Sequence, residues 1–353
     1  MRAVPRTILV CEAQVPFVRG GAEFHVRELV RQLRQRGHDA ELVSIPFKWY
    51  PKSEILPHAA AWRMLDLSES NGRAIDLVIA TKFPTYFVRH PRKVAWVIHQ
   101  YRAAYELAGT PYSDFAHTPD DIALREQIVR LDTQMLGECQ RLFANSGNTA
   151  ARLARYNGLT ATPLYHPPRL AERIRTGPFG GYLLSVGRLE SVKRVDLAIR
   201  ALAHTPDDLS LVIAGTGTQR SALEELASSL GVGGRIQFRG EVSDDEVLEL
   251  YAGALGVIFP PYDEDFGYVT LEGFLAGKPV VTTTDAGGPN EFVIDGVNGR
   301  VTAPDPETIG AAMRDLHLNR DRARAFGAAG YERARGVTWS GVIEHLIGES
   351  SPA

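Results

Sequence analysis

Cysteine is nearly absent from this chain: there are two, Cys11 and Cys139, each inside an apolar stretch. Two isolated thiols give neither a metal-ligand spacing nor a disulfide framework, and they suit a reducing cytoplasm. Long apolar runs are missing too, since none approaches the roughly eighteen residues of a membrane-spanning helix. The first apolar segment, TILVCEA (7–13), is broken by Glu12 and followed by Pro16, so it reads as a strand and not as a secretory leader. There is no repeat of solenoid period and no low-complexity segment. The expected location is the cytoplasm, with peripheral attachment at the inner face of the membrane as the alternative.

What is present is ordinary globular material: 353 residues, 44% hydrophobic and 23% charged. That length favours two domains over one core. The net charge of −3 hides an asymmetry, because residues 1–170 carry 22 Lys+Arg against 16 Asp+Glu and the remainder carries 17 against 26. A basic first half and an acidic second half suggest different partners for each, or only solvated faces. Basic stretches such as RELVRQLRQRG are ordinary helix surfaces and do not argue for nucleic acid.

Short apolar runs alternate with helical patterns. In the first half TILVCEA, AELVSI, IDLVIAT, VAWVIHQ and RLFANS are buried-strand candidates. GAEFHVRELVRQLRQRG is a helix, with Ala22, Val26, Leu29, Val30 and Leu33 at helical spacing and Gly37 as its stop. PDDIALREQIVRLDTQMLGECQ is another. The pattern breaks at TATPLYHPPRLAE, where Pro163, Pro167 and Pro168 stiffen an extended linker. It then restarts with YLLSVG, LSLVIAG, RIQFRG, ALGVIFP and KPVVTTT, each followed by a helix. Such alternation predicts α/β architecture with two tandem doubly wound, Rossmann-like parallel-sheet domains facing a central cleft. Ligands of such sheets bind beyond the carboxyl ends of the strands.

Three stretches there carry chemistry. In YLLSVGRLESVKR (182–194), Arg188 and Lys193 follow a strand and its turn glycine. Two cations in that loop can neutralise a diphosphate, or form a solvated pair. In EDFGYVTLE (264–272), a strand precedes and a helix follows. Gly267, Tyr268, Val269 and Thr270 then sit at a helix N-terminus, whose amides and dipole favour an anion. Glu272 is expected on the first helical turn, able to accept two hydroxyl donors. Glu264 lies in the preceding loop and faces another part of the same ligand. Phosphate between two hydroxyl-binding carboxylates describes a nucleoside diphosphate sugar; the plainer alternative is a dipole-stabilised Glu272 and a surface Glu264. The third stretch, DED (263–265), has the form of a divalent-cation ligand pattern, but it is only three letters long in a chain with 42 acidic residues, and Arg188 with Lys193 can supply the positive charge instead.

GRLESVK, EDFGYVTLEGFLAGKPVV and GGPNEFVIDGVNG together resemble the donor half of the family 4 retaining glycosyltransferases, which have the GT-B fold. Glu264 and Glu272 match both ends of that family's E-x7-E signature, and GGAEFHVRELVRQL is similar to its first glycine loop and helix. The resemblance implies an N-terminal acceptor-binding domain (1–167, joined by a final helix at 337–353) and a C-terminal donor-binding domain (168–336). It further implies that Arg188 and Lys193 bind the diphosphate, Glu272 the ribose and Glu264 the hydroxyls of the transferred sugar. Amides near Val269 and Thr270 would contact phosphate. Gly20 and Gly21 would bring backbone close to the donor, and the segment ending at Val242 would hold the nucleobase. His99, after VAWVI, would sit near the reaction centre, with Asn145 and Ser146 at a similar edge. Gln100, Tyr101 and Arg102 depart from the acidic residue usual after this histidine.

The activity so implied is retaining transfer of a sugar from a nucleoside diphosphate donor to an acceptor hydroxyl, with no cofactor and no metal. The load would fall on leaving-group charge. The acceptor would be a sugar, a small molecule or a lipid-linked species, and FKWYPKSEILPHAAAWRML (47–65) carries aromatic and basic residues for membrane contact. That stretch suits a soluble acceptor pocket or a sheet-covering helix equally. Two rivals stand: a sugar-nucleotide 2-epimerase of the same architecture, and a non-catalytic sugar-nucleotide-binding scaffold. A dinucleotide-dependent dehydrogenase is weaker, since GTGTQR (215–220) lacks a third spaced glycine.

Overall fold

A computed structural model of the protein describes residues 5–17 and 20–348. The chain divides into two compact units: one runs to His166 and takes in the chain from Thr338 onward, and the other is Pro167–Val337.

Unit 1 is built on a parallel six-stranded sheet. Its strands are β1 (Thr7–Gln14), β2 (Asp39–Pro46), β3 (Leu77–Ala80), β4 (Lys93–Val97), β5 (Arg141–Ala144) and β6 (Thr162–Pro163). They lie in the order β2-β1-β3-β4-β5-β6. The strands β3 and β4 are buried throughout, as a sheet covered on both faces requires. The alternation of side chains then fills two cores. Ile8, Val10, Leu77, Ile79, Val94 and Trp96 face one side; Cys11, Ala13, Val78, Ala80, Ala95 and Val97 face the other.

Helix α1 (Gly21–Gln35) covers the first face with Val26, Leu29, Val30 and Leu33, spaced at one helical stripe. The last helix, Trp339–Ile347, joins that core through Val342, Ile343 and Leu346. The second face is covered by α2 (Ile55–Met64), α3 (Pro119–Gly137) and α4 (Gly147–Asn157). Thr118 and Ser146 cap α3 and α4, each accepting the backbone N–H three residues on. Strand β6 falls inside the stretch expected to be only a linker. It is an edge strand of two residues, where Pro163 removes no ladder bond from a neighbour.

Unit 2 carries β7 (Tyr182–Val186), β8 (Ser210–Ala214), β9 (Ile236–Gly240), β10 (Gly256–Ile258), β11 (Val280–Thr283) and β12 (Gly299–Thr302). All pair in parallel, in the order β9-β8-β7-β10-β11-β12. This is the 3-2-1-4-5-6 order of dinucleotide-binding folds, and its switch point lies between β7 and β10. The helices are α5 (Val195–Leu202), α6 (Arg220–Ser229), α7 (Asp244–Gly253), α8 (Tyr268–Leu275), α9 (Pro306–Leu318) and α10 (Arg320–Ala334); the helix at 339–347 in unit 1 is α11. Strand β12 has no counterpart among the expected strands, because GRVT holds a single aliphatic residue.

Candidate active site at the carboxyl ends of the unit 2 strands

The switch point places the loops after β7 and β10 side by side, and the Tyr262 amide donates to the Val192 carbonyl across it (2.8 Å). The first loop starts at Gly187 and runs through Arg188 to a short 3-10 turn, Ser191–Lys193. The second runs from Phe259 to Gly267 and carries Glu264. The structure brings Lys193 and Glu264 into direct contact: Nζ donates to Oε2 at 2.5 Å, with side chains 18% and 14% exposed. The cation assigned to phosphate and the carboxylate assigned to sugar hydroxyls therefore form one unit.

Backbone bonds fix the Glu264 loop. The Glu264 amide donates to the Ala286 carbonyl and its own carbonyl accepts from the Gly288 amide, both at 2.8 Å. Glu264 is thus committed by its backbone and by Lys193. Among the described residues no group of three His, Cys, Asp or Glu side chains is arranged to hold a metal ion.

Arg188 is exposed, and among the described residues it pairs with no carboxylate. Its loop is held by GTGTQR, the motif that failed as a dinucleotide fingerprint. Gly215, at φ 137°, lies so close that a Cβ there would stand 1.9 Å from the Gly187 carbonyl oxygen. The Leu189 amide donates to the Thr216 carbonyl (2.8 Å), and the Gln219 amide to that of Leu189 (2.9 Å). The glycines are there to let two backbones meet, and they set Arg188 at the sheet's edge.

Helix α8 opens at Gly267, whose φ of 84° is left-handed, and a Cβ there would press on Pro289 at 2.8 Å. The Val269 amide, at the second helical position, has no acceptor within the helix. The Thr270 amide donates to the Gly267 carbonyl (3.0 Å), so of these two expected phosphate donors Val269 is the better placed. The Thr270 hydroxyl is fully buried without a partner among the described residues.

Glu272 is the fifth residue of α8 and stands on its second turn, one turn further in than expected. Its carboxylate accepts from the Tyr251 hydroxyl at 2.7 Å. Burial pushes the Glu272 carboxyl up, against the lowering effect of that bond. Val242 lies half-buried between β9 and α7.

In unit 1, Gly20, Gly21 and His99 share the carboxyl edge of the first sheet. Gly20 precedes α1, and its amide donates to Glu23 Oε2 (2.9 Å). Glu23 Oε1 accepts from Lys82 Nζ at 2.8 Å, and both side chains are buried. Burial alone would raise the Glu23 carboxyl; the Lys82 ammonium and the amide bonds outweigh it and hold it low. The glycine loop is thus anchored by a buried ion pair.

His99 Nδ1 lies 2.8 Å from the Gln100 carbonyl, which assigns the proton to Nδ1. Gln100 is buried and its side-chain amide donates to Asn157, whose own amide reaches Thr133 Oγ1 (2.8 Å). The departure from an acidic residue after His99 is therefore a packed polar network. Asn145 is also buried, and Ser146 is the cap of α4.

The stretch 47–65 packs one side into the core: Phe47, Ile55, Ala59 and Trp62 are buried, and Lys52 pairs with Asp121 at 2.7 Å. Lys48, Tyr50, Pro51, Ser53, Pro57, Ala60, Ala61 and Met64 stay exposed. Sequence reasoning passed over Arg194, Asp285, Tyr251, Glu23 and Lys82. The VKR triplet held the first of them, one residue from a cation already chosen.

These features define a class, a GT-B protein with two doubly wound parallel-sheet units. Residues 19–168 match the family model described as Glycosyltransferase Family 4, and residues 179–333 the model described as Glycosyl transferases group 1. Both halves of the chain thus match glycosyltransferase family models, and the fold is GT-B. It is 30% identical over 251 residues to a D-inositol 3-phosphate glycosyltransferase of Nocardia farcinica, covering 63% of this chain and 54% of that protein. The match thus spans about half the length of that relative. It is 26% identical to an uncharacterized glycosyltransferase of Methanocaldococcus jannaschii, covering 83% of this chain and 84% of the other. Its fold is that of Anabaena HepE, solved with UDP and glucose, at a TM-score of 0.71, 18% identity and 98% coverage of both chains.

Proposed function

We propose that this protein transfers a sugar from a nucleoside diphosphate sugar to an acceptor hydroxyl, with retention of anomeric configuration and without a metal ion. The observation that carries the reading is the Lys193–Glu264 contact at the unit 2 switch point, beside a glycine-positioned Arg188. A carboxylate and an ammonium on one spot suit a ligand that is hydroxylated on one side of the reacting bond and anionic on the other.

Arg188 and Lys193 would take the diphosphate, and the Val269 amide would add a helix N-terminal donor. Lys193 then stabilises the charge that grows on the departing phosphate as the anomeric bond lengthens. Glu264 accepts hydroxyls of the sugar and Glu272 those of the ribose. The departing phosphate oxygen takes the acceptor proton on the same face, which preserves configuration. Two cations already offset the diphosphate, and Glu264 of the DED segment is committed to Lys193. His99 would act near the sugar, and the acceptor would belong to unit 1. The UDP and glucose bound in Anabaena HepE make UDP-sugars the first donors to test.

Among the described residues no helix is long and apolar enough to cross a membrane. Contact with a bilayer surface would fall to the residues near Tyr50, which is 63% exposed. Binding to anionic liposomes at low salt that Tyr50→Ala weakens supports it; no binding removes it.

The test is incubation with UDP-, GDP- and ADP-sugars and a panel of sugar and small-molecule acceptors in EDTA, followed by chromatography and NMR of the products. Free nucleotide together with a product of the donor's anomeric configuration is expected. An intact nucleotide carrying a sugar inverted at C2 would mean an epimerase, and nucleotide binding without turnover a scaffold.

A further inference from the structure

Next to Lys193 lies a second arginine that points the other way. Arg194 is buried, 8% exposed, and its backbone is left-handed at φ 50°. A non-glycine residue holds that conformation only where its surroundings fix it. Here they do. Nε donates to the Pro260 carbonyl (2.9 Å), and one terminal nitrogen to the Pro261 carbonyl (2.7 Å) and Thr283 Oγ1 (3.0 Å). Both terminal nitrogens reach Asp285, at 2.8 and 2.7 Å. The guanidinium thereby ties together the loops after β7, β10 and β11. Asp285 in turn continues into the segment that holds Glu264, since the Asp263 amide donates to the Asp285 carbonyl (2.8 Å). Neither Arg194 nor Asp285 is placed to touch a ligand in the reading above.

We infer that Arg194, paired with Asp285, is a positioning residue: it holds Lys193 and Glu264 in register for the donor. The inference rests on the donor reading. Arginine suits the task because its planar fork meets a carboxylate and several carbonyls at once, which a lysine cannot do. A shift of about 1 Å in a reacting group is enough to cost roughly a hundredfold in rate.

Arg194→Gly is the variant of choice, because glycine accepts the left-handed backbone and the change then isolates the guanidinium. Two readouts are taken: hydrogen exchange at the amides of 262–264, which bond to Val192, Asp285 and Ala286, and donor turnover with and without millimolar guanidinium. The inference expects faster exchange at 262–264, kcat lowered about a hundredfold with donor KM changed far less, and partial rescue by guanidinium. Asp285→Asn, a milder change, is expected to lower kcat in the same direction and serves if the glycine variant does not fold. Unchanged exchange at 262–264, or faster exchange with wild-type kcat, overturns it. A wild-type protein that turns over no donor is a separate result: it overturns the donor reading and this inference with it.

Discussion

Replacing Lys193 by alanine removes an ammonium that touches Glu264. An ion pair near 4 Å at an effective dielectric of about 20 is worth about 4 kcal/mol. Lys193 is 18% exposed, so most of that value is available to a departing diphosphate. If about 3–4 kcal/mol is felt only in the transition state, kcat falls roughly 10²- to 10³-fold. The substitution also takes this counter-charge from Glu264, whose carboxylate is 14% exposed. Breaking a fully buried ion pair costs about 3–5 kcal/mol, so loss of this partly hydrated one is expected to cost about 1–2 kcal/mol of stability. Lys193→Ala combined with Glu264→Gln separates the two effects. Stability, followed by urea unfolding, returns to near the wild-type value; turnover, followed by nucleotide release, stays down. Lys193→Ala with turnover within threefold of wild type would refute the assignment. A double variant that regains turnover along with stability would show that Lys193 acts only on the fold.

Three further outcomes follow from the same geometry. Tyr251→Phe removes a bond that lowers the Glu272 carboxyl; since ribose binding needs the carboxylate, donor affinity should be lost on acidification at a higher pH than in wild type, read from KM against pH. Asp132 is buried beneath Tyr105 (2.7 Å) and pushed by burial to about 7. The folded state therefore keeps a proton that the unfolded chain sheds near pH 4, so stability should fall between about pH 4 and 7 by up to a few kcal/mol, and Asp132→Asn should flatten that slope in thermal melts. Gly215→Ala forces a Cβ into the Gly187 carbonyl; it should cost several kcal/mol and disturb Arg188, so that any folded fraction shows weakened nucleotide binding by calorimetry.

The sequence was most legible where one rule acted alone. Runs such as LVIA and VAWV are apolar on both faces, and only a covered parallel sheet accepts that. Arg188, Lys193, Glu264 and Glu272 stood out because each follows a strand end. What escaped was set by tertiary contact. Arg194 looks like any loop cation until the carbonyls of Pro260 and Pro261 are seen around it. The GTG of 215–217, which lacks the third glycine of a dinucleotide fingerprint, serves contact between backbones instead. Strands β6 and β12 are short edge segments whose pairing comes from a neighbour, and Glu272 sits a turn later than expected because the helix already starts at Tyr268, directly after the left-handed Gly267.

The central claim is that the loops after β7 and β10 bind a nucleoside diphosphate without a metal. Calorimetry with UDP, GDP and ADP in EDTA tests it, on wild type and on Arg188→Ala, a change at an exposed residue that leaves the core intact. One nucleotide should bind the wild type in EDTA, and Arg188→Ala should weaken it about tenfold or more, as loss of a charge-assisted pair of about 1.5–3 kcal/mol requires. No binding by any nucleotide, binding that appears only with Mg²⁺ or Mn²⁺, or equal affinity in the variant would contradict the account.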